Sequence, residues 1–255
     1  MKPLFISLVS VILLANGTSC SAPAETGKNG SRQAGDTCID MPLRESDFGT
    51  DWQINPVRPP APFQLDSILA DDTVHHIHRI RYFISSRNYP GLGTLSNKVI
   101  PDAGFFIDET NDQRTDEAWA ASFYKTGKLV SVLFVEQSYT EGAAHYNRSA
   151  STLNYNLETQ KAVALGDIFA VRNAADRQKF CDLLSAAHNK GPEENQVAPD
   201  TTLIGPDADF TIGCGAVFIY PGEVPSIGCY SGTAYSIPLE QVKAMLRPEY
   251  SWLLE

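Results

Sequence analysis

The sequence predicts an α+β domain, a mainly antiparallel β-sheet with helices packed on one face. Three observations carry this expectation. Residues 118–126 and 129–139 are strand-like runs separated by Thr126-Gly127-Lys128, the spacing of a hairpin. Residues 151–157 alternate, with Leu153, Tyr155 and Leu157 on one face and Thr152, Asn154 and Asn156 on the other. Residues 174–189 set Phe180, Leu183, Leu184 and Ala187 at helical spacing.

Taken in order, residues 51–64 hold Pro56, Pro59, Pro60 and Pro62, an extended lead-in. Residues 73–85, rich in Val, Ile, Tyr and Phe, form a strand that Tyr89-Pro90-Gly91 breaks. Thr94 caps a helix carrying Leu95 and Val99, interrupted by Pro101 before Phe105-Phe106-Ile107. The run Leu129-Val130-Ser131-Val132-Leu133-Phe134-Val135 is apolar on both faces, so a central strand covered on both sides is expected. A loop, Thr140 to Ser149, joins it to the alternating strand, which is expected to be half-buried and antiparallel. Asn173 caps the long helix and Gly191-Pro192 stops it. Residues 193–208 are polar and loop-like. Phe210 to Tyr220 is expected to be one strand, with Gly213 and Gly215 marking a bulge or a close backbone approach. Thr233 to Ile237 pairs back, and Pro238 starts a short helix carrying Val242, Met245 and Leu246.

The N-terminus reads as an export signal. Lys2 is followed by an apolar run from Leu4 to Leu14, too short for a spanning helix of roughly 20 residues and suited to a signal-peptide core. Ala15, Gly17, Thr18 and Ser19 then lead to Cys20, a pattern that resembles the lipobox of bacterial lipoproteins, with Gly17 where that motif carries Leu. Plain signal cleavage is the alternative. Residues 21–36 are small, polar and charged and cannot bury enough apolar surface to fold. The expected organisation is a signal peptide at 1–19, a lipidated Cys20 with a flexible linker to residue 50, and a module at 51–255 with halves 66–135 and 136–255. The expected location is the periplasm or cell envelope, with the membrane held through Cys20.

Charged residues make up 20% of the chain and hydrophobic ones 43%, ordinary for a globular protein. The formal charge of −10 becomes −11 once Lys2 leaves with the signal. An acidic chain lacks the basic face a nucleic-acid partner requires and favours encounter with a cationic one. Cys38, Cys181, Cys214 and Cys229 suggest two disulfides in an exported chain. Cys214 with Cys229 is favoured because they flank one expected hairpin, which leaves Cys38 with Cys181. No Cys-x-x-Cys spacing occurs, so neither a metal nor a cofactor is expected.

His75, His76 and His78 cluster on the first expected strand, where period two puts His76 and His78 on one face. A polar strand face is the simpler reading. His145 lies in Thr140-Glu141-Gly142-Ala143-Ala144-His145-Tyr146, near Glu136 and Ser138. No Gly-x-Ser-x-Gly elbow or Ser-x-x-Lys accompanies it. No carboxylate pair stands out for glycoside chemistry. Catalysis therefore has no positive support in these residues, and a peptidoglycan-active hydrolase using His145 and a structural envelope lipoprotein stand as alternatives to the reading given next.

The segment Leu133-Phe134-Val135-Glu136-Gln137-Ser138-Tyr139-Thr140-Glu141-Gly142-Ala143-Ala144-His145 resembles the strand and "SYTGGAH" loop of the RsiV/PdaC-type extracytoplasmic domain family. Leu153 to Lys161 and Leu165-Gly166-Asp167-Ile168-Phe169 resemble its "YNYDLKTGK" and "LDDLF" segments. Val217 to Pro221, leading through Gly232 to Ile237-Pro238, is similar to its last hairpin. Glu141 replaces a loop glycine, an extra Ala precedes His145, and the last hairpin loop differs around Gly222-Glu223. The resemblance implies an α+β module that binds an envelope protein or glycan, a lysozyme-like muramidase foremost. With an expected signal in place of a cytoplasmic arm, it implies the bare module on a tether. The loops at 139–147 and 221–231 are the implied contact surface, led by Tyr139, Glu141, His145, Glu223, Ile227 and Tyr230.

Overall fold

The apolar run from Leu129 to Val135 lies at the centre of the molecule. The computed structural model describes residues 38–42, 57–72, 77–99, 115–140, 147–188, 204–220 and 235–255, with side chains described outside 68–81, 115–120, 136–149 and 187–188. A seven-stranded sheet takes the order β2 (Phe63–Asp72), β3 (Ile77–Ser86), β4 (Thr115–Thr126), β5 (Leu129–Thr140), β6 (Asn147–Asn156) and β7 (Lys161–Ala162), with β1 (Ile39–Met41) paired to the far end of β4. A second sheet of three strands, β8 (Asp209–Ile212), β9 (Ala216–Tyr220) and β10 (Tyr235–Pro238), has β9 in the middle. The α+β class with mainly antiparallel pairing is the one the sequence predicts. The β3–β4 ladder is parallel. A parallel pair needs a crossover connection, and α1 (Pro90–Val99) lies in it.

Strand β5 is covered on both faces, as its composition requires. Val130, Val132 and Phe134 join Phe63, Ile84, Leu92, Phe123, Leu153 and Tyr155 under α1. Leu133 and Val135 face the other way and pack on Tyr220 of the second sheet. After β7 comes a single helical turn, α2 (Leu165–Ile168), and the outer face of the small sheet carries Phe210, Ile212, Val217, Ile219, Tyr235 and Ile237 against α3 (Ala174–His188), which contributes Phe180, Cys181 and Leu184. The order of layers is thus α1, large sheet, small sheet, α3.

Local chemistry explains most boundaries. Gly127 and Lys128 form a two-residue turn between the paired residues Thr126 and Leu129. Gly127 has φ +52°, and a Cβ there would lie 2.8 Å from the Trp252 ring, so any other residue strains the turn and displaces the indole. Asn173 caps α3 by accepting the Asp176 N–H at 2.9 Å.

Several expectations are corrected. Helix α1 begins at Pro90 rather than at Thr94. Proline suits the first turn because its missing N–H would have no helical partner. Strand β2 extends through residues given no strand from sequence, with the lead-in ending at a cis Ala61–Pro62 bond. The stretch 210–220 is not one strand: β8 and β9 fold back at Gly213-Cys214-Gly215, with Gly215 at φ +90°.

The polar face of β6 is buried rather than solvated. Asn154 is 3% exposed and donates from Nδ2 to the Phe210 carbonyl at 2.7 Å. Ser131 Oγ donates to Asn154 Oδ1 at 2.5 Å and accepts the Ile212 N–H at 3.1 Å. Thr152 Oγ1 accepts the Phe210 N–H at 3.2 Å and donates to Asp209 Oδ1 at 2.7 Å. Strand β8 is an edge, and these side chains satisfy the backbone groups that no strand pairs.

Candidate functional site

The register of the large sheet collects several chain connections at one end. Asp72 pairs with Ile77, Ile77 with Thr115 and Thr115 with Thr140. At that row β2 passes to β3, β4 begins and β5 ends, while β6 begins beside it with Asn147 opposite Ser138. Strand β9 points the same way. Thr152, opposite Leu133, meets Asp209 at the start of β8, and Ser131 meets Ile212 at its end, so β8 runs against β5 and β9, antiparallel to β8, runs with it. The segments 141–146 and 221–234, which hold the contact residues expected from sequence other than Tyr139, therefore both leave strands directed to the same end.

Of those residues, Tyr139 lies on β5 in register with Asp116. Glu141, His145, Glu223, Ile227, Tyr230, Cys229, His75, His76 and the anchor Cys20 lie outside the described residues. His78 is on β3, in register with Asp71 on β2 and Asp116 on β4. Backbone pairing thus places Asp71, His78, Asp116 and Tyr139 in one row across four strands.

The opposite end carries a second cluster. A disulfide joins Cys38, just before β1, to Cys214 in the β8–β9 turn. This corrects the expected pairing of Cys214 with Cys229 and of Cys38 with Cys181. Cys181 is instead a buried residue of α3 in the core against the small sheet. Sequence proximity favours the short loop, but β1 pairs with the end of β4 and the small sheet stacks over that part of the large one, which brings distant cysteines together. Asp40 completes the cluster: its Oδ1 accepts the Cys214 N–H at 2.8 Å. The ligand atoms of Cys38, Asp40 and Cys214 all lie within 4.8 Å of one another. Asp40 has no counterpart among the residues expected from sequence. Its spacing of two from Cys38 puts both on one side of an extended segment, but its partner stands 174 residues away.

Burial shapes the electrostatics here. Desolvation raises the Asp40 carboxyl above the usual range, against the Cys214 N–H, which lowers it. Behind Asp40 the Tyr124 phenol is pushed up to about 12, first by burial and also by the Asp40 charge, against hydrogen bonds to Ser122 and Tyr220. Tyr220 in turn shares a 2.9 Å hydrogen bond with Thr211. A chain of hydroxyls thus runs between the two sheets, starting at the disulfide end.

No helix among the described residues is long and apolar enough to cross a membrane. No family model matches the chain, and no curated protein sequence matches it. Solved structures do. The chain is similar in fold to a DUF3298 family protein from Pseudomonas aeruginosa PAO1, with a TM-score of 0.54 and 17% identity over 75% of this chain and 97% of that one. A DUF3298 family member from Bacteroides fragilis NCTC 9343 aligns over the same shares with a TM-score of 0.47 and 15% identity. The first likeness is one of fold, and it agrees with the α+β architecture.

Proposed function

We propose that the chain is an exported, lipid-anchored binding module of the cell envelope, and that its partner is a lysozyme-like muramidase. The observation that carries this reading is the common direction of β5 and β9. The segments resembling the contact loops of the RsiV/PdaC-type family leave strands directed to one end of the fold. One protein surface can meet both. The net charge of −10 supports a cationic partner, since long-range attraction speeds encounter at low ionic strength. Tyr139, Glu141 and His145 on one side and Glu223, Ile227 and Tyr230 on the other form the contact surface. The module binds and does not catalyse.

Calorimetric titration of the mature chain with lysozymes at low salt tests this. Binding that weakens with salt and is lost in a Tyr139→Ala, His145→Ala double variant is expected. No heat with any lysozyme at low ionic strength overturns the muramidase reading. The anchor is tested separately by palmitate labelling, which Cys20→Ala should abolish.

A further inference from the structure

Two sulfurs and a carboxylate meet where β1 reaches the β8–β9 turn. Cys38 is half-buried, and Cys214 and Asp40 are exposed, so the cluster opens to solvent. Asp40 spends Oδ1 on the Cys214 N–H, and among the described residues its other oxygen makes no hydrogen bond. Gly213 makes room for that carboxylate, because a Cβ there would lie 2.9 Å from Asp40 Oδ1. Thr126 Oγ1 lies 3.4 Å from Cys38 Sγ and donates to the Gly213 carbonyl at 3.1 Å, fixing the far side of the turn.

Opening the disulfide changes the chemistry of this cluster. A dithiol reductant passes two electrons and two protons to the S–S bond, leaving two thiols and its own disulfide. If both thiols ionise, three negative charges crowd into one small site, which favours either protons or a cation. We propose that the reduced cluster is a metal site in which Cys38, Cys214 and Asp40 bind a zinc-type divalent cation, with water in the fourth position. Binding releases the two thiol protons. Two thiolates and a carboxylate are ligands zinc accepts, at about 2.3 Å and 2.0–2.2 Å. Tetrahedral ligation sets the sulfurs about 3.7 Å apart. Gly213 and Gly215 flank Cys214 and let the turn take up that change. The acidic chain adds a favourable field for a cation. The disulfide then acts as a gate: closed, it occupies both sulfurs; open, it exposes a thiolate site.

The test is a cobalt titration of the full mature chain, oxidised and then reduced with a phosphine and desalted without air. The reduced chain should gain thiolate-to-cobalt charge-transfer absorption at one cobalt per chain, with tetrahedral visible bands that zinc removes. The oxidised chain should show neither. Cys38→Ser should abolish the charge transfer. Asp40→Asn should retain it while weakening zinc at least about tenfold. The same absorption in a Cys38→Ser, Cys214→Ser double variant would place the metal on other cysteines and overturn the proposal. So would equal cobalt binding by oxidised and reduced chains, an unchanged zinc affinity in Asp40→Asn, or a reduced chain whose near-ultraviolet circular dichroism is lost and not restored by zinc.

Discussion

Asn154 holds the second sheet to the first by donating to the Phe210 carbonyl at 2.7 Å while accepting from Ser131. One side chain on β6 thus serves the open edge of β8 and a polar residue within the apolar run of β5. Asn154→Ala leaves the Phe210 carbonyl without its side-chain donor and the Ser131 O–H without an acceptor, although Ser131 Oγ still accepts the Ile212 N–H. The expected loss is about 2–4 kcal/mol, since each orphaned buried group costs about 1–3 kcal/mol. Urea unfolding monitored by tryptophan fluorescence checks this, and Asn154→Leu should not recover the loss.

Gly127 and Trp252 are matched in the same way. Gly127→Ala adds a methyl at positive φ against the indole. It should destabilise the chain by about 2–4 kcal/mol, combining backbone strain of about 1–2 kcal/mol with overpacking. In the Trp252→Ala background the overpacking part should vanish and the strain part remain, which a double-mutant cycle resolves.

The Cys38–Cys214 bond closes a loop with a sequence separation of 176. Peptide mapping without reduction should therefore recover the Cys38 peptide linked to the Cys214 peptide. Cys38→Ser should lower the unfolding free energy by about 2–5 kcal/mol, read from denaturant midpoints. A Cys214–Cys229 crosslink in the map would contradict the observed geometry.

Alkaline stability follows from the buried phenols. Tyr124 stays protonated to about 12 in the folded chain, against 10.0 when unfolded. Its folded pKa is raised, so its contribution is complete below pH 10 and is lost as pH rises from 10.0 towards 12. Tyr82, Tyr155, Tyr235 and Tyr250 are raised as well, each chiefly by burial. Thermal melts should fall across that window, and Tyr124→Phe should make the fall shallower without removing it.

Much of this fold is legible in the sequence, and the exceptions share a cause. Strand β5 and helix α3 are readable because both are defined within a dozen residues, by apolar runs, spacing and the Asn173 cap. The face carrying Thr152, Asn154 and Asn156 is not, because alternation reports polarity and cannot separate water from a polar seam between two sheets. Pro90 looks like a breaker although it opens a helix, since the same residue serves both. The β8–β9 turn hides inside a continuous apolar stretch whose only local sign is the Gly213/Gly215 pair. Asp40 is the clearest case at a candidate site. Its role depends on Cys214, which the second sheet delivers and no local pattern announces.

The bond between Cys38 and Cys214 also sets a mechanical route through the molecule. Strand β1 meets β4 over only three residue pairs, a weak grip against a force applied to the chain before it. With the sulfurs joined, such a pull bypasses that short ladder and passes covalently into the turn of the second sheet, which is clamped to the first by Ser131, Thr152 and Asn154. Tension then meets the side-chain clamp between the sheets instead of the three-pair ladder alone. Without the bond, β1 is the first element to give way.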